Sequence, residues 1–319
     1  MTATTSFDTR TLRGYILLLL TSLLWGTAFI FQKNAAQELN AFSFNFLRFG
    51  LAIPALLLLR FLPVSLFMPN VNDIPNQRRL RHSAWFIGAG GGVFMFLGIS
   101  LQQWGLAYTT AGKSGFLTSL YIILVPILAL FFRQRCHLEV WLGAMATLLG
   151  VYLLGIGGGE TIESQFNKGD VMTLLCAIAW AAQVLWLGSL ARYANVLTIA
   201  TIQMLVIAIL SGIAMVIFSL INPIDNPLPT LSLIYSIKYD ILYTGIISAA
   251  VAFTLQILGQ RYVPPTNAAL IMSVEAVFAL LAGMIFLDES ATIMALLGCF
   301  FILLGVIVAQ LEGRLFKRN

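Results

Sequence analysis

Along this chain the apolar positions run in blocks of about twenty residues, the length that crosses the hydrocarbon core of a bilayer as a helix. Ten blocks are legible, at 13–33, 41–62, 83–106, 111–132, 138–156, 169–190, 197–220, 239–260, 266–287 and 291–311. The breaks between them carry turn chemistry: Pro63, Pro69 and Pro75 in one loop, Gly157-Gly158-Gly159 in another, then Pro223, Pro227 and Pro229, and Pro264-Pro265. The pattern predicts an all-α integral membrane fold of ten transmembrane helices.

Composition agrees. Of 319 residues 59% are hydrophobic and 10% charged, with a mean hydropathy of +0.91. No long polar segment remains for a separate soluble domain, so any site must lie in or beside the bilayer. The first block, after Arg10 and Arg13, has no small-x-small cleavage site and reads as a retained helix. The net charge of +5 sits in short loops, where it points to topology rather than to nucleic acid. With both termini on the cytoplasmic side, Arg10, Arg13, Arg60, Arg78, Arg79, Arg81, Arg133, Arg135, Arg192, Arg261, Arg314, Lys317 and Arg318 fall inside, against Lys33, Lys168 and Lys238 outside. This predicts a plasma-membrane protein (inner membrane in a double-membraned bacterium) with cytoplasmic termini. Cys136, Cys176 and Cys299 read as free thiols, and neither a metal nor a cofactor is implied.

The two halves repeat each other. At an offset of 155, Gly14 meets Gly169, Trp25 meets Trp180, and Gly143 and Gly150 meet Gly298 and Gly305. At 154, "QQWGLAY" from Gln102 aligns with "QILGQRY" from Gln256, and Ser119 with Ser273. Each half, 13–156 and 169–311, holds five spans. Because five is odd, the second half enters the membrane in the opposite sense, giving two inverted five-helix repeats. In transporters built this way the substrate site lies near the midplane between the repeats.

At these residues the chain resembles a known family. "LLWGTAF", "TTAGKSGFLTSLYIILVPILAL" and "LGVYLLG" in the first half are similar to the EamA-type, ten-helix branch of the drug/metabolite transporter superfamily. In the second half "GDVMTLLCAIAWA", "YVPPTNAALIMSVEAVFALLAGMIFLDE" and "LLGCFFILLGVIVA" carry the same likeness. Two departures stand out: Arg133-Gln134-Arg135 replaces an acidic residue after the fourth span, and Ala276 replaces a proline after Glu275. The resemblance implies a secondary transporter of small polar metabolites, amino acids or related amines favoured; export is the expected direction. The expected partners are a small-molecule substrate and membrane lipid, without nucleic acid, in a monomer or homodimer.

The candidate site residues are the polar and aromatic groups placed deep in spans. Glu275 lies about nine residues into the ninth span, roughly 14 Å deep at the helical rise. It serves either as a substrate contact or proton carrier, or as a buried brace. Its repeat counterpart is Tyr121. Arg48, aligned with Gln203, offers a bidentate fork to an anion, snorkels outward, or pairs with Glu275. Lys113, aligned with Asn267, either meets substrate or snorkels. Gln102, Gln256, Trp25, Trp180, Trp104 and Asn45 either line a cavity or pack across helices.

Other chemistries lack their residues. Gly88-Ala89-Gly90-Gly91-Gly92 has no preceding strand for a nucleotide fingerprint and suits close helix packing or bending. His82 and His137 sit at loop edges, and no serine elbow or P-loop is present. A nucleotide-sugar or phosphate-ester exchanger of the same superfamily, and a non-transporting scaffold or receptor, remain alternatives.

Overall fold

The computed structural model describes residues 9–311 apart from 62–76, 107, 109–110, 132, 134–135, 158–166, 225, 287 and 289, and it leaves out the side chains of 77–82, 103, 106, 111–113, 156 and 157. Among the basic residues used for orientation, Arg135, Arg314, Lys317 and Arg318 and the side chains of Arg78, Arg79 and Arg81 therefore lie outside the described residues. All regular structure among those described is helical, with ten segments long and apolar enough to cross a membrane. Leu58, Phe86, Ile213 and Ile307 are exposed on its flanks, as a multi-pass membrane protein requires where it meets lipid.

The first three spans are α1 (Thr9–Glu38), α2 (Ala41–Leu59) and α3 (Gln77–Leu106). The fourth is broken into α4 (Ala111–Ser119) and α5 (Tyr121–Phe131), and the fifth is α6 (Leu138–Gly157). The second half runs through α7 (Lys168–Leu190), a short 3-10 turn, and α8 (Val196–Ile221). A short helix, α9 (Leu231–Ser236), follows, capped by the Thr230 hydroxyl; no hydrophobic block predicts it. The eighth span is composite: α10 (Lys238–Leu242), a π-helix (Tyr243–Ala252) and α11 (Phe253–Gly259). The ninth is broken into α12 (Pro265–Met272) and α13 (Glu275–Phe286), and α14 (Ile293–Gln310) is the tenth. The first span outruns its predicted block because Gln32, Lys33 and Asn34 continue the helix instead of ending it.

Local structure follows the repeat closely. Asn40 and Asn195, at equivalent positions, cap α2 and α8 by accepting from the amides of Ser43 and Thr198. Arg133 and Asp288, also equivalent, are the two non-glycine residues with positive φ among the described residues, 58° and 53°. Each follows the end of its half-helix in the left-handed region that terminates helices. The αL turn is kept although the side chain changes from acid to base.

Packing repeats as well. α6 lies against α14 with Gly143 facing Gly305 and Gly150 facing Gly298, so the two helices run antiparallel. A Cβ at Gly150 would sit 2.6 Å from the Gly298 carbonyl oxygen, and one at Gly298 equally close to that of Gly150. Only glycine permits that approach. Gly14 likewise meets Gly259, and the equivalent Gly169 meets Gly105. Within the third-span glycine run, Gly88 and Gly92 pack on Ile202 and Val206 of α8. The arginines at the ends of α2, α7 and α11 share one face: Arg60 reaches the Thr198 hydroxyl at 3.4 Å. On the same face Arg261 donates to the carbonyl oxygens of Ala191 (2.9 Å) and Ala194. These bonds satisfy a guanidinium whose pKa burial pulls down from its usual value.

Candidate functional site

A cavity of about 140 Å³ lies between the two halves. Seven of the spans wall it. α1 presents Trp25, Phe29 and Gln32 on one face at helical spacing, and α2 adds Arg48 and Phe49. Ile99 and Gln102 come from α3, while Thr118 and Tyr121 stand on either side of the break between α4 and α5. α7 gives Trp180 and Val184. The composite eighth span gives Ser248, Phe253 and Gln256, and Met272 and Glu275 flank the break between α12 and α13. A cavity this size accommodates a small metabolite; an engineered one of about 150 Å³ holds benzene.

The wall is itself a repeat. Trp25 and Trp180, Phe29 and Val184, Ile99 and Phe253, Gln102 and Gln256, Thr118 and Met272, and Tyr121 and Glu275 occupy equivalent positions. Four lining residues have no lining counterpart: Gln32, Arg48, Phe49 and Ser248. The cavity therefore straddles the line relating the halves, and its asymmetry is concentrated around one cation.

Arg48 is 7% exposed and comes from the second turn of α2. Its Nη1 donates to Gln32 Oε1 at 2.8 Å, and its guanidinium carbon lies over the rings of Phe44 (4.9 Å) and Phe49 (4.6 Å). The aromatic faces favour a cation. Arg48 Nε is buried with no hydrogen-bond partner, and among the described residues no carboxylate lies within ion-pair distance. Its counterpart Gln203 is instead fully buried against Met95 Sδ at 3.1 Å.

Glu275 is the first residue of α13, and Tyr121 is the first of α5. Both broken spans thus restart at the cavity. The Tyr121 hydroxyl donates to the Ala269 carbonyl at 3.4 Å. The Glu275 carboxylate has no hydrogen bond or ion pair among the described residues, and it does not pair with Arg48. A half-buried acid and a buried guanidinium line one cavity without neutralising each other. Gln102 donates from Nε2 to the Thr118 hydroxyl at 3.2 Å, and Trp25 Nε1 donates to the Ser248 carbonyl at 3.3 Å, so both side chains are held at the wall.

Sequence reasoning placed Glu275, Arg48, Tyr121, Gln102, Gln256, Trp25 and Trp180 among the candidates, and all of them line the cavity. Asn45 is buried outside its lining, and Trp104 points outward to pack on Phe42 and Phe218. The Lys113 side chain lies outside the described residues. Gln32, Phe29 and Ser248 were missed. Gln32 was hidden because the polar run from 32 to 34 reads as the end of a span.

The family profile described as the EamA-like transporter family matches this chain twice, over residues 12–156 and 167–310. A protein of Archaeoglobus fulgidus described as an uncharacterized transporter is 31% identical over 92% of this chain and 85% of its own length. The uncharacterized transporter YcxC of Bacillus subtilis is 22% identical over 94% and 93%. A solved crystal structure superposes with a TM-score of 0.75 over 98% of this chain and all of that one, at 19% identity, a likeness of fold.

Proposed function

Since the chain belongs to the EamA-like transporter family, we propose that it is a secondary transporter that moves small polar metabolites by alternating access. Amino acids and related amines are the favoured cargo and export is the direction. The two units, 13–156 and 169–311, rock about the central cavity in a plasma membrane with both termini cytoplasmic. The antiparallel glycine contacts between α6 and α14 support an inverted relation of these units.

The observation that carries the cargo class is the Arg48 guanidinium and the Glu275 carboxylate lining one cavity without an ion-pair partner for either among the described residues. Leaving two desolvated opposite charges apart is costly, and a zwitterion relieves both at once. Arg48 takes the carboxylate, Trp25 and Trp180 wall the side chain, and Glu275 takes the ammonium or a coupling proton. A phosphate-ester exchanger would need several cations here, and among the described lining residues Arg48 stands alone. The relatives' descriptions as transporters weigh against an enzyme.

A thermal-shift screen of purified protein against amino acids, amines and phosphate esters tests the class, because a ligand that binds only the native state raises its stability by about 2.7 kcal/mol at a hundred times its Kd. Zwitterionic amino acids should raise the Tm of the wild type and not of Arg48→Gln. A shift with phosphate esters alone, or one that Arg48→Gln retains in full, overturns the assignment.

A further inference from the structure

At and beyond one wall of the cavity lie buried polar groups that packing does not explain. Gln256 lines the cavity three residues before the end of α11, about 5 Å from the arginine-bearing face at the helical rise. Its Nε2 donates to Gln183 Oε1 of α7 at 3.2 Å, which leaves Gln256 Oε1 and Gln183 Nε2 without partners. One turn further on, Gln260 Nε2 donates to the Val184 carbonyl at 3.1 Å and its Oε1 is also unpartnered. The three residues are 0%, 1% and 2% exposed for Gln183, Gln256 and Gln260 respectively.

Each unpaired buried atom forfeits a hydrogen bond that water would supply. The fold does not need amides there: the positions equivalent to Gln183 and Gln260 in the first half are Ala28 and Leu106. What separates these amides from the arginine-bearing face is a thin layer of packed chain. α5 rests on α12, Gly188 abuts Pro265, and Leu18 abuts Gly259. The equivalent outer halves, α4 and α13, have no comparable packing among the described residues. The molecule is thus shut on the arginine-bearing side, where the unsatisfied amides lie.

We infer that Gln183, Gln256 and Gln260 form the leg of the transport path between the cavity and the arginine-bearing face, closed in this structure by the contact of α5 with α12. This rests on the transporter reading. When the two half-helices part, water and the polar groups of the cargo take the orphaned amide atoms, so opening recovers hydrogen bonds that the closed state lacks. Neutral amides hold neither charge of a zwitterion tightly, which suits a passage rather than a second binding site.

Cysteine accessibility tests this in full-length protein within sealed vesicles of known orientation. In a background carrying Cys136→Ser, Cys176→Ala and Cys299→Ala, single variants Gln183→Cys, Gln260→Cys and the control Leu258→Cys are exposed to a membrane-impermeant methanethiosulfonate. Leu258 is 1% exposed on the same helix, within apolar packing. Positions 183 and 260 should react from the arginine-bearing face at least tenfold faster than 258. Reaction no faster than at 258, or only from the opposite face, overturns the inference. Flux is measured separately: a chain that carries no flux but labels at both positions keeps the passage and loses the transporter reading.

Discussion

The fourth and ninth spans are the same object built twice. Each breaks at equivalent residues, Leu120 and Ser273-Val274, restarts at the cavity, and ends in an αL residue. Yet one restarts with Tyr121 and the other with Glu275, and α5 packs on α12 while α4 and α13 show no comparable packing among the described residues. The second and seventh spans repeat the lesson: a common asparagine cap begins each, but Arg48 faces the cavity where Gln203 is sealed against Met95. Backbone geometry and close packing obey the repeat. Charge departs from it, at the helix ends with Arg133 and Asp288 and in the cavity with Arg48 and Glu275.

The contrast breaks most violently where the repeat itself is attacked. Gly150→Leu and Gly298→Leu each force a side chain into a backbone that faces it 2.6 Å from the missing Cβ. Both should cost about 3 kcal/mol or more, at the upper end for overpacking, read as loss of monodisperse protein or a lowered Tm. The two losses should be similar, because each glycine faces the other. A large effect at one position only would show that the halves do not share this contact.

The next experiment makes the halves alike in charge. Arg48→Gln gives the second span the residue of the seventh. Removing a charge-assisted hydrogen bond forfeits about 1.5–3 kcal/mol, or about ten- to a hundredfold in cargo affinity, with little change in Tm. Arg48→Lys should recover only part, since an ammonium lacks the planar fork.

Glu275→Gln removes the other departure while keeping shape. Flux of the wild type is expected to vary with pH if Glu275 takes up the coupling proton. The variant's profile should be flat, with folding intact by size exclusion. A wild-type profile retained in Glu275→Gln assigns the acid to bracing instead.

The smallest effect is expected at its counterpart. Tyr121→Phe deletes one hydroxyl whose bond to Ala269 is 3.4 Å long, worth about 0.5–1.5 kcal/mol at most. Cargo affinity should change no more than about threefold. A larger loss would make Tyr121 a binding group rather than wall.

The number of spans was legible because the signal for a span, twenty apolar residues, is long and redundant. The breaks were not. Leu120 and Ser273-Val274 are neither proline nor glycine, and the proline of the fourth span, Pro126, lies inside α5 rather than at the break. The π-helix of the eighth span was equally silent, since Tyr243–Ala252 has the composition of any buried helix. Of the site, the paired tryptophans, the paired glutamines, and Tyr121 with Glu275 were visible through the internal repeat. Gln32 was invisible, because its role comes from a helix that runs five residues beyond Lys33, to Glu38. That Arg48 and Glu275 share a cavity without pairing is a fact of geometry that no spacing along the chain encodes.

The central claim is that a zwitterion crosses the membrane through this cavity, held by Arg48. Its most direct test is uptake of labelled amino acids into proteoliposomes by wild type and by Arg48→Gln. Saturable flux is expected with the wild type, and a loss of at least tenfold with the variant at equal amounts of folded protein. Saturable flux of the same size in both, or none in the wild type across the panel, would contradict it.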